Sequence, residues 1–184
     1  MSMIVALWLA AAPMPQMAAE PALFDTSGYR AARYRAPIPT PPPGVPRIDA
    51  RAVARLVDRD AVLLIDVMPA EGGHRDRATG KWRLAVERRS IAGAHWFPEA
   101  GRAPLDPAIE RWFRAGIRRL HRASPAKPIV LFCLADCWMA WNAAKRLRSW
   151  GYRNVHWFAE GADGWTDINR PLVLLQPYRP PKEL

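Results

Sequence analysis

The sequence predicts an α/β sandwich built on a mainly parallel sheet. Short apolar runs rich in branched residues recur along the chain, amphipathic helical stretches separate them, and 50% of the 184 residues are hydrophobic. Strands buried on both faces read as continuous apolar runs, and helices alternating with such runs imply crossover connections in a layered fold. The length suits one domain, and the hydrophobic share excludes wholesale disorder. No internal repeat is present.

Each element has a local reason. Asp49 supplies an N-cap oxygen for a helix over Ala50–Arg59, whose Val53, Leu56 and Val57 fall on one face. Ala61–Val67 (AVLLIDV) reads as a strand buried on both faces. Residues 68–89 are polar, carry Gly72, Gly73 and Gly80, and read as a long excursion. Ile91–Phe97 holds the next short strand. Asp106 caps and Pro107 opens a helix over Pro107–Arg122, in which Ile109, Trp112, Phe113, Gly116, Ile117 and Leu120 form a single core stripe. A strand over Pro128–Phe132 follows. A helix then runs from about Cys137 to Trp150, Gly151 is its left-handed stop, and Val155–Phe158 is the last predicted strand.

Upstream of the first helix the chain changes character. Six of the ten residues from Pro37 to Pro46 are proline, which removes ladder donors and favours polyproline geometry. Residues 20–46 are therefore read as an arm, either laid across the domain on Tyr29 and Tyr34 or free as a linker. The domain proper is taken as 47–175 and the C-terminal tail as 176–184. Residues 1–19 carry no charged side chain, and Met3–Ala12 is an apolar run ended by Pro13 and Pro15, with Ala18 and Ala19 before Glu20. This reads as a secretory signal peptide, although its first residues lack Lys and Arg; the alternative is an uncleaved interfacial anchor. A span needs about 20 apolar residues, so no stable membrane span is expected after cleavage.

The charge balance, 27 Lys+Arg against 17 Asp+Glu, gives +10. Nucleic-acid binding needs a recognition module as well as charge, and none is found. The basic surface is either plain solvation or a means of steering an acidic partner. Only Cys133 and Cys137 are present, which excludes a disulfide-dense scaffold and a four-cysteine zinc site.

Those two cysteines concentrate the chemistry. In PIVLFCLADCWMAWNAA a buried strand ends at Cys133, Leu134, Ala135 and Asp136 turn, and a helix begins near Cys137. Ligands of open α/β sheets bind outside the carboxyl ends of strands. There the next helix's free N–H groups and dipole favour a thiolate, so Cys133 is expected to face solvent and react. Asp136 is expected to cap the helix, and as a neighbouring carboxylate it opposes the thiolate. A Cys133–Cys137 disulfide fits the spacing. Trp138 and Trp141 either stack on a flat ligand, cover the thiols, or pack against the arm. Three readings stay open: redox or sulfur chemistry at Cys133 and Cys137, a structural staple in a non-catalytic partner-binding domain, and a Cu(I) site completed by His95, Met139 or Met68. Asp66 and His95 are placed beside the same rim.

The chain resembles the rhodanese-like domains, and among them the exported proteins known as PQQ-dependent-catabolism-associated CXXCW-motif proteins. The resemblance lies in LIDV at Leu64–Val67, SIAGAHWFP at Ser90–Pro98, FCLADCW at Phe132–Trp138 and GYRNVHWFAEGADGW at Gly151–Trp165, with Tyr29–Arg30 and Tyr34–Pro37 matching the family's arm. It implies a three-layer rhodanese sandwich, periplasmic location and a quinoprotein dehydrogenase or cytochrome as partner. No cofactor is assigned to this chain, since PQQ would belong to the dehydrogenase. It also implies that Cys133 matches the persulfide-forming nucleophile, with Cys137 as its resolving partner. The family loop carries glycine three residues on and arginine five residues on, where this chain has Asp136 and Trp138; Met68 replaces the arginine that commonly follows LIDV. A cradle that loses its cations binds thiosulfate poorly, which argues against ordinary thiosulfate sulfurtransferase activity.

Overall fold

The computed structural model describes residues 22–180. Residues 1–19, expected to be a signal peptide, lie outside them, as does the end of the tail. In chain order the elements are α1 (Ala50–Asp58), β1 (Leu63–Asp66), β2 (His74–Arg75), β3 (Trp82–Arg83), β4 (Arg88–Ser90), β5 (His95–Trp96), α2 (Pro107–Ala123), β6 (Ile129–Phe132), α3 (Trp138–Ser149), β7 (Val155–Trp157), α4 (Gly161–Asp167) and β8 (Val173–Leu175).

Strands β5, β1, β6 and β7 form one sheet in that order, and every pairing in it is parallel. The expected α/β architecture is therefore present. Two-residue alternation along the strands divides the core into two layers. Leu63 and Ile65 of β1 and Val67 just after it, with Ile129 and Leu131 of β6, pack on one face against Phe113, Ile117, Ala140 and Leu147 of α2 and α3. Leu64, Val130 and Phe132 pack on the other face against Val53 of α1 and Trp165 of α4.

The helix starts follow their caps. Asp49 accepts from Ala52 N at 2.7 Å, and Asp106 accepts from Ala108 N at 2.7 Å ahead of Pro107. Gly151 takes φ +95° and ends α3. The expected strand over Ile91–Phe97 shrinks to His95–Trp96, because the chain turns at Ile91–Ala94 (Ala94 N donates to Ile91 O, 3.1 Å) with Gly93 at φ +78°. The excursion at 68–89 holds the β2–β3 hairpin and then β4, which pairs antiparallel with β8 outside the main sheet.

Residues 22–46 lie against the domain. Tyr34 Oη donates to Ala103 O (3.0 Å) and accepts from Ala103 N (2.8 Å). The buried amide of Asn142 closes both polar groups of Arg30's backbone: its Oδ1 accepts from Arg30 N (2.9 Å) and its Nδ2 donates to Arg30 O (2.8 Å). Tyr178 of the tail stacks on Phe97, ring centres 4.7 Å apart. Among the described residues no helix is long and apolar enough to cross a membrane.

Candidate functional site

Asp66 and Phe132, the last residues of β1 and β6, are register partners, so the segments leaving these two strands start side by side at the sheet's carboxyl end. One delivers Met68 and the other Cys133. Met68 is pinned through its backbone: its N donates to Asp66 Oδ1 (2.8 Å) and its carbonyl accepts from Trp96 Nε1 (2.7 Å). Its thioether sulfur rests 3.4 Å from Cys133 Sγ.

Cys133 and Cys137 are joined in a disulfide with Cα atoms 6.1 Å apart, inside the range such bonds require. The expectation that Cys133 faces solvent is overturned: Cys133 is fully buried, and Cys137 is 3% exposed. The period-two alternation that sends Ile129 and Leu131 into the core sends Cys133 there as well. The arm then covers the loop, with Tyr34 O accepting from Trp138 N (2.8 Å) and Ala36 N donating to Asp136 O (3.0 Å).

The expected Asp136 cap is also corrected. The N-cap of α3 is Cys137, and no side chain bonds the helix's first amides there. Asp136 is exposed and takes φ +52°, a left-handed conformation that favours glycine. This geometry accounts for the glycine that similar loops carry at that position. Asp136→Gly is expected to keep or slightly raise stability, and Asp136→Ala to lower it by about 1 kcal/mol; paired urea titrations check this.

The other loop residues hold position. Leu134 bridges to Gly161, and Ala135 N donates to Asp163 Oδ2 at 2.9 Å. Met139 is buried. Trp138 packs edge-on against Phe24 (5.4 Å) and beneath the Arg30 guanidinium (4.9 Å), and Trp141 donates to Thr40 O (3.0 Å). Both indoles thus pack on the arm, which leaves no open face for a flat ligand.

Of the two residues placed beside the rim from sequence, Asp66 acts on the site by holding Met68, and His95 faces a different hollow. Asp66 is fully buried and accepts from Arg88 Nε (2.7 Å), Ser90 Oγ (2.6 Å) and Met68 N, so it touches the site only through Met68's backbone. His95 meets Tyr178 edge-on at 5.6 Å and lines a different hollow. Burial lowers its pKa and favours the neutral ring. It does not join the sulfurs in a metal set. Among the described residues no group of three His, Cys, Asp or Glu side chains is arranged to hold a metal ion.

A cavity of about 240 Å³ opens onto the disulfide. Tyr34, Arg35, Met68, Leu134, Cys137 and Met139 line it. A larger hollow of about 430 Å³ lies between the β2–β3 hairpin and the start of α2, and no sulfur lines it; the disulfide belongs to the smaller one. Sequence reasoning missed the arm's backbone pairing with the cysteine loop and the roles of Asp163 and Gly161. Tyr34–Arg35 and the Gly–x–x–Gly–Trp ending were the signals that pointed to those places.

The rhodanese-like domain profile matches residues 49–168. No curated protein matches the sequence significantly. Among solved structures, a thiosulfate sulfurtransferase from Pseudomonas aeruginosa aligns at 18% identity over 72% of this chain and 21% of its own, TM-score 0.46. The anaerobic ergothioneine biosynthesis enzyme of Chlorobium limicola aligns at 25% identity over 70% of this chain and 28% of its own, TM-score 0.47. The polysulfide-sulfur transferase of Wolinella succinogenes aligns at 18% identity over 71% of this chain and 79% of its own, TM-score 0.44. The chain thus spans about a fifth of the first of these proteins. The profile match alone covers well over half of the sequence and includes the cysteine loop with the strands on both sides of it, so the chain belongs to the rhodanese-like domain family.

Proposed function

We propose that this protein carries out thiol–disulfide exchange through Cys133 and Cys137 on a rhodanese scaffold, in preference to thiosulfate sulfur transfer. The observation that carries this reading is the position of the second sulfur, within bonding reach of the cysteine that matches the rhodanese nucleophile. A persulfide on Cys133 would not persist beside it. Attack of the Cys137 thiolate on Cys133 Sγ forms the disulfide and expels the outer sulfur as hydrosulfide, so the sulfur is lost before an acceptor can take it. The surroundings agree, since Trp138 stands where the family's loop carries arginine and Met68 where an arginine commonly follows LIDV.

A staple is the competing reading, and magnitude argues against it. The cysteines are four positions apart, and closing so short a loop stabilises a fold by only about 2 kcal/mol. The proposed setting is the periplasm, beside a quinoprotein dehydrogenase or a cytochrome. Its supports are the uncharged segment 1–19 and the motif resemblance.

The test is a redox titration of the full chain. Thiol counting is expected to find two reactive thiols after reduction and none after oxidation, with a potential above about −300 mV. A lower potential marks a structural bridge and ends the exchange reading. A cyanide-coupled thiosulfate assay is expected to yield little thiocyanate.

A further inference from the structure

Resting on the exchange reading above, we infer that Cys137, and not Cys133, is the sulfur that meets the partner thiol, and that this thiol is carried on an apolar body. Cys137 lines the cavity at the disulfide and Cys133 does not. Cys133 has no exposed surface and is backed by the Met68 thioether and by the β6 core face. A nucleophile arriving through the cavity therefore meets Cys137 first. Access decides which sulfur of a disulfide is attacked.

Position on the helix supports the same choice. Cys137 sits at the N-cap of α3, whose first turn contains no acidic residue and no side-chain cap. Tyr34 O accepts from Trp138 N, and the helix dipole at that end, opposed by no acidic side chain in the first turn, favours a negative sulfur at Cys137. Cys133, four residues back and inside the core, lacks that help. The roles read from sequence, attack by Cys133 and resolution by Cys137, are thus reversed.

The cavity also states what kind of thiol fits. Met68, Pro69, Leu134 and Met139 give it apolar walls. Of its charged residues, Arg102 is already bonded to Glu99 Oε2 at 2.6 Å, and Arg35 and Glu71 are exposed. An apolar group gains by leaving water for those walls, whereas a polar one gives up its hydration there.

The steps balance with a dithiol donor as reductant. Its first thiolate forms a bond to Cys137 Sγ; the Cys133–Cys137 bond breaks, and its electron pair leaves on Cys133 Sγ, which takes a proton from water. The donor's second thiolate then attacks the donor's own sulfur in the mixed disulfide and expels Cys137 as a thiolate. The donor departs as a disulfide, and the protein pair is left reduced. Run backwards, Cys137 attacks a partner's disulfide and Cys133 resolves it.

The oxidised full-length chain is treated briefly with 2-mercaptoethanol, quenched in acid, desalted, alkylated with N-ethylmaleimide and peptide-mapped. Mercaptoethanol is expected on Cys137 and maleimide on Cys133, exceeding the opposite pattern by about tenfold or more, which corresponds to about 1.4 kcal/mol in barrier height. The opposite pattern overturns the assignment and leaves exchange standing. No adduct at all, together with a potential below about −300 mV, removes the exchange reading and this inference with it. For the second half, benzyl mercaptan and 2-mercaptoethanol, both uncharged, are compared at equal thiolate concentration. The aromatic thiol is expected to react faster, and equal rates or an advantage for the hydroxylated one overturn the apolar assignment.

Discussion

Asp66→Ala is expected to lower the unfolding free energy by about 3–5 kcal/mol, read as a fall in the urea midpoint. Asp66 has no exposed side-chain surface, and its partner Arg88 retains 10%. One carboxylate oxygen takes both Arg88 Nε at 2.7 Å and Ser90 Oγ at 2.6 Å, and the other takes Met68 N. Removing the carboxylate strands a buried guanidinium, which already has one nitrogen, Nη2, without a partner. Water is not available to solvate the stranded charge, so the cost is that of an uncompensated buried ion rather than of one lost hydrogen bond. Removing both charges, in Asp66→Leu with Arg88→Met, is expected to recover most of the loss, because the orphaned charge goes too. A double variant no more stable than Asp66→Ala would show that the carboxylate acts mainly by holding Met68 and Ser90. Disulfide reactivity should change as well, since Met68 N loses its anchor and the thioether its fixed place against Cys133.

How much of this was readable in the chain depends on the range of the forces involved. Helix α2 was legible to within a residue because a cap oxygen, a first-turn proline and a 3.6-residue stripe are all local. Strands β1 and β6 were legible because a strand covered on both faces is a nearly continuous apolar run, with Asp66 at the end of β1 as the exception. Helix α4 has only seven residues, two of them glycine, and β8 exposes two of its three residues and is held by pairing with β4 more than eighty positions upstream; neither leaves a periodic signal. The site divides in the same way. Four positions between cysteines suffice to suggest the bond. The cover over the cysteine loop comes from Tyr34 and Ala36, about one hundred positions away, and a motif read in isolation contains nothing of them. Hence the local rule that placed a thiol at an open rim failed at the one residue where an arm from elsewhere in the chain closes that rim.

Gly161→Ala tests that loop from its other side and is expected to cost about 2–5 kcal/mol. Gly161 has φ +56°, and a Cβ there would lie 2.5 Å from the Cys133 carbonyl oxygen and 2.8 Å from its carbon. Both atoms are backbone, so no side chain can swing away to make room. The neighbouring Ala162 N donates to that same carbonyl at 2.9 Å, and Leu134 bridges to Gly161 itself; the start of α4 and the exit from β6 must therefore move together or separate. Gly151→Ala is the control. It also has a positive φ, +95°, but nothing lies within 4 Å of the added carbon, so it bears conformational strain alone, about 1–2 kcal/mol. The excess loss in Gly161→Ala over Gly151→Ala isolates the contact. Because that contact falls on the cysteine's own backbone, Gly161→Ala should also shift the Cys133–Cys137 potential, whereas Gly151→Ala should leave it unchanged. Equal losses and equal potentials in the two variants would mean that α4 does not fix the position of Cys133.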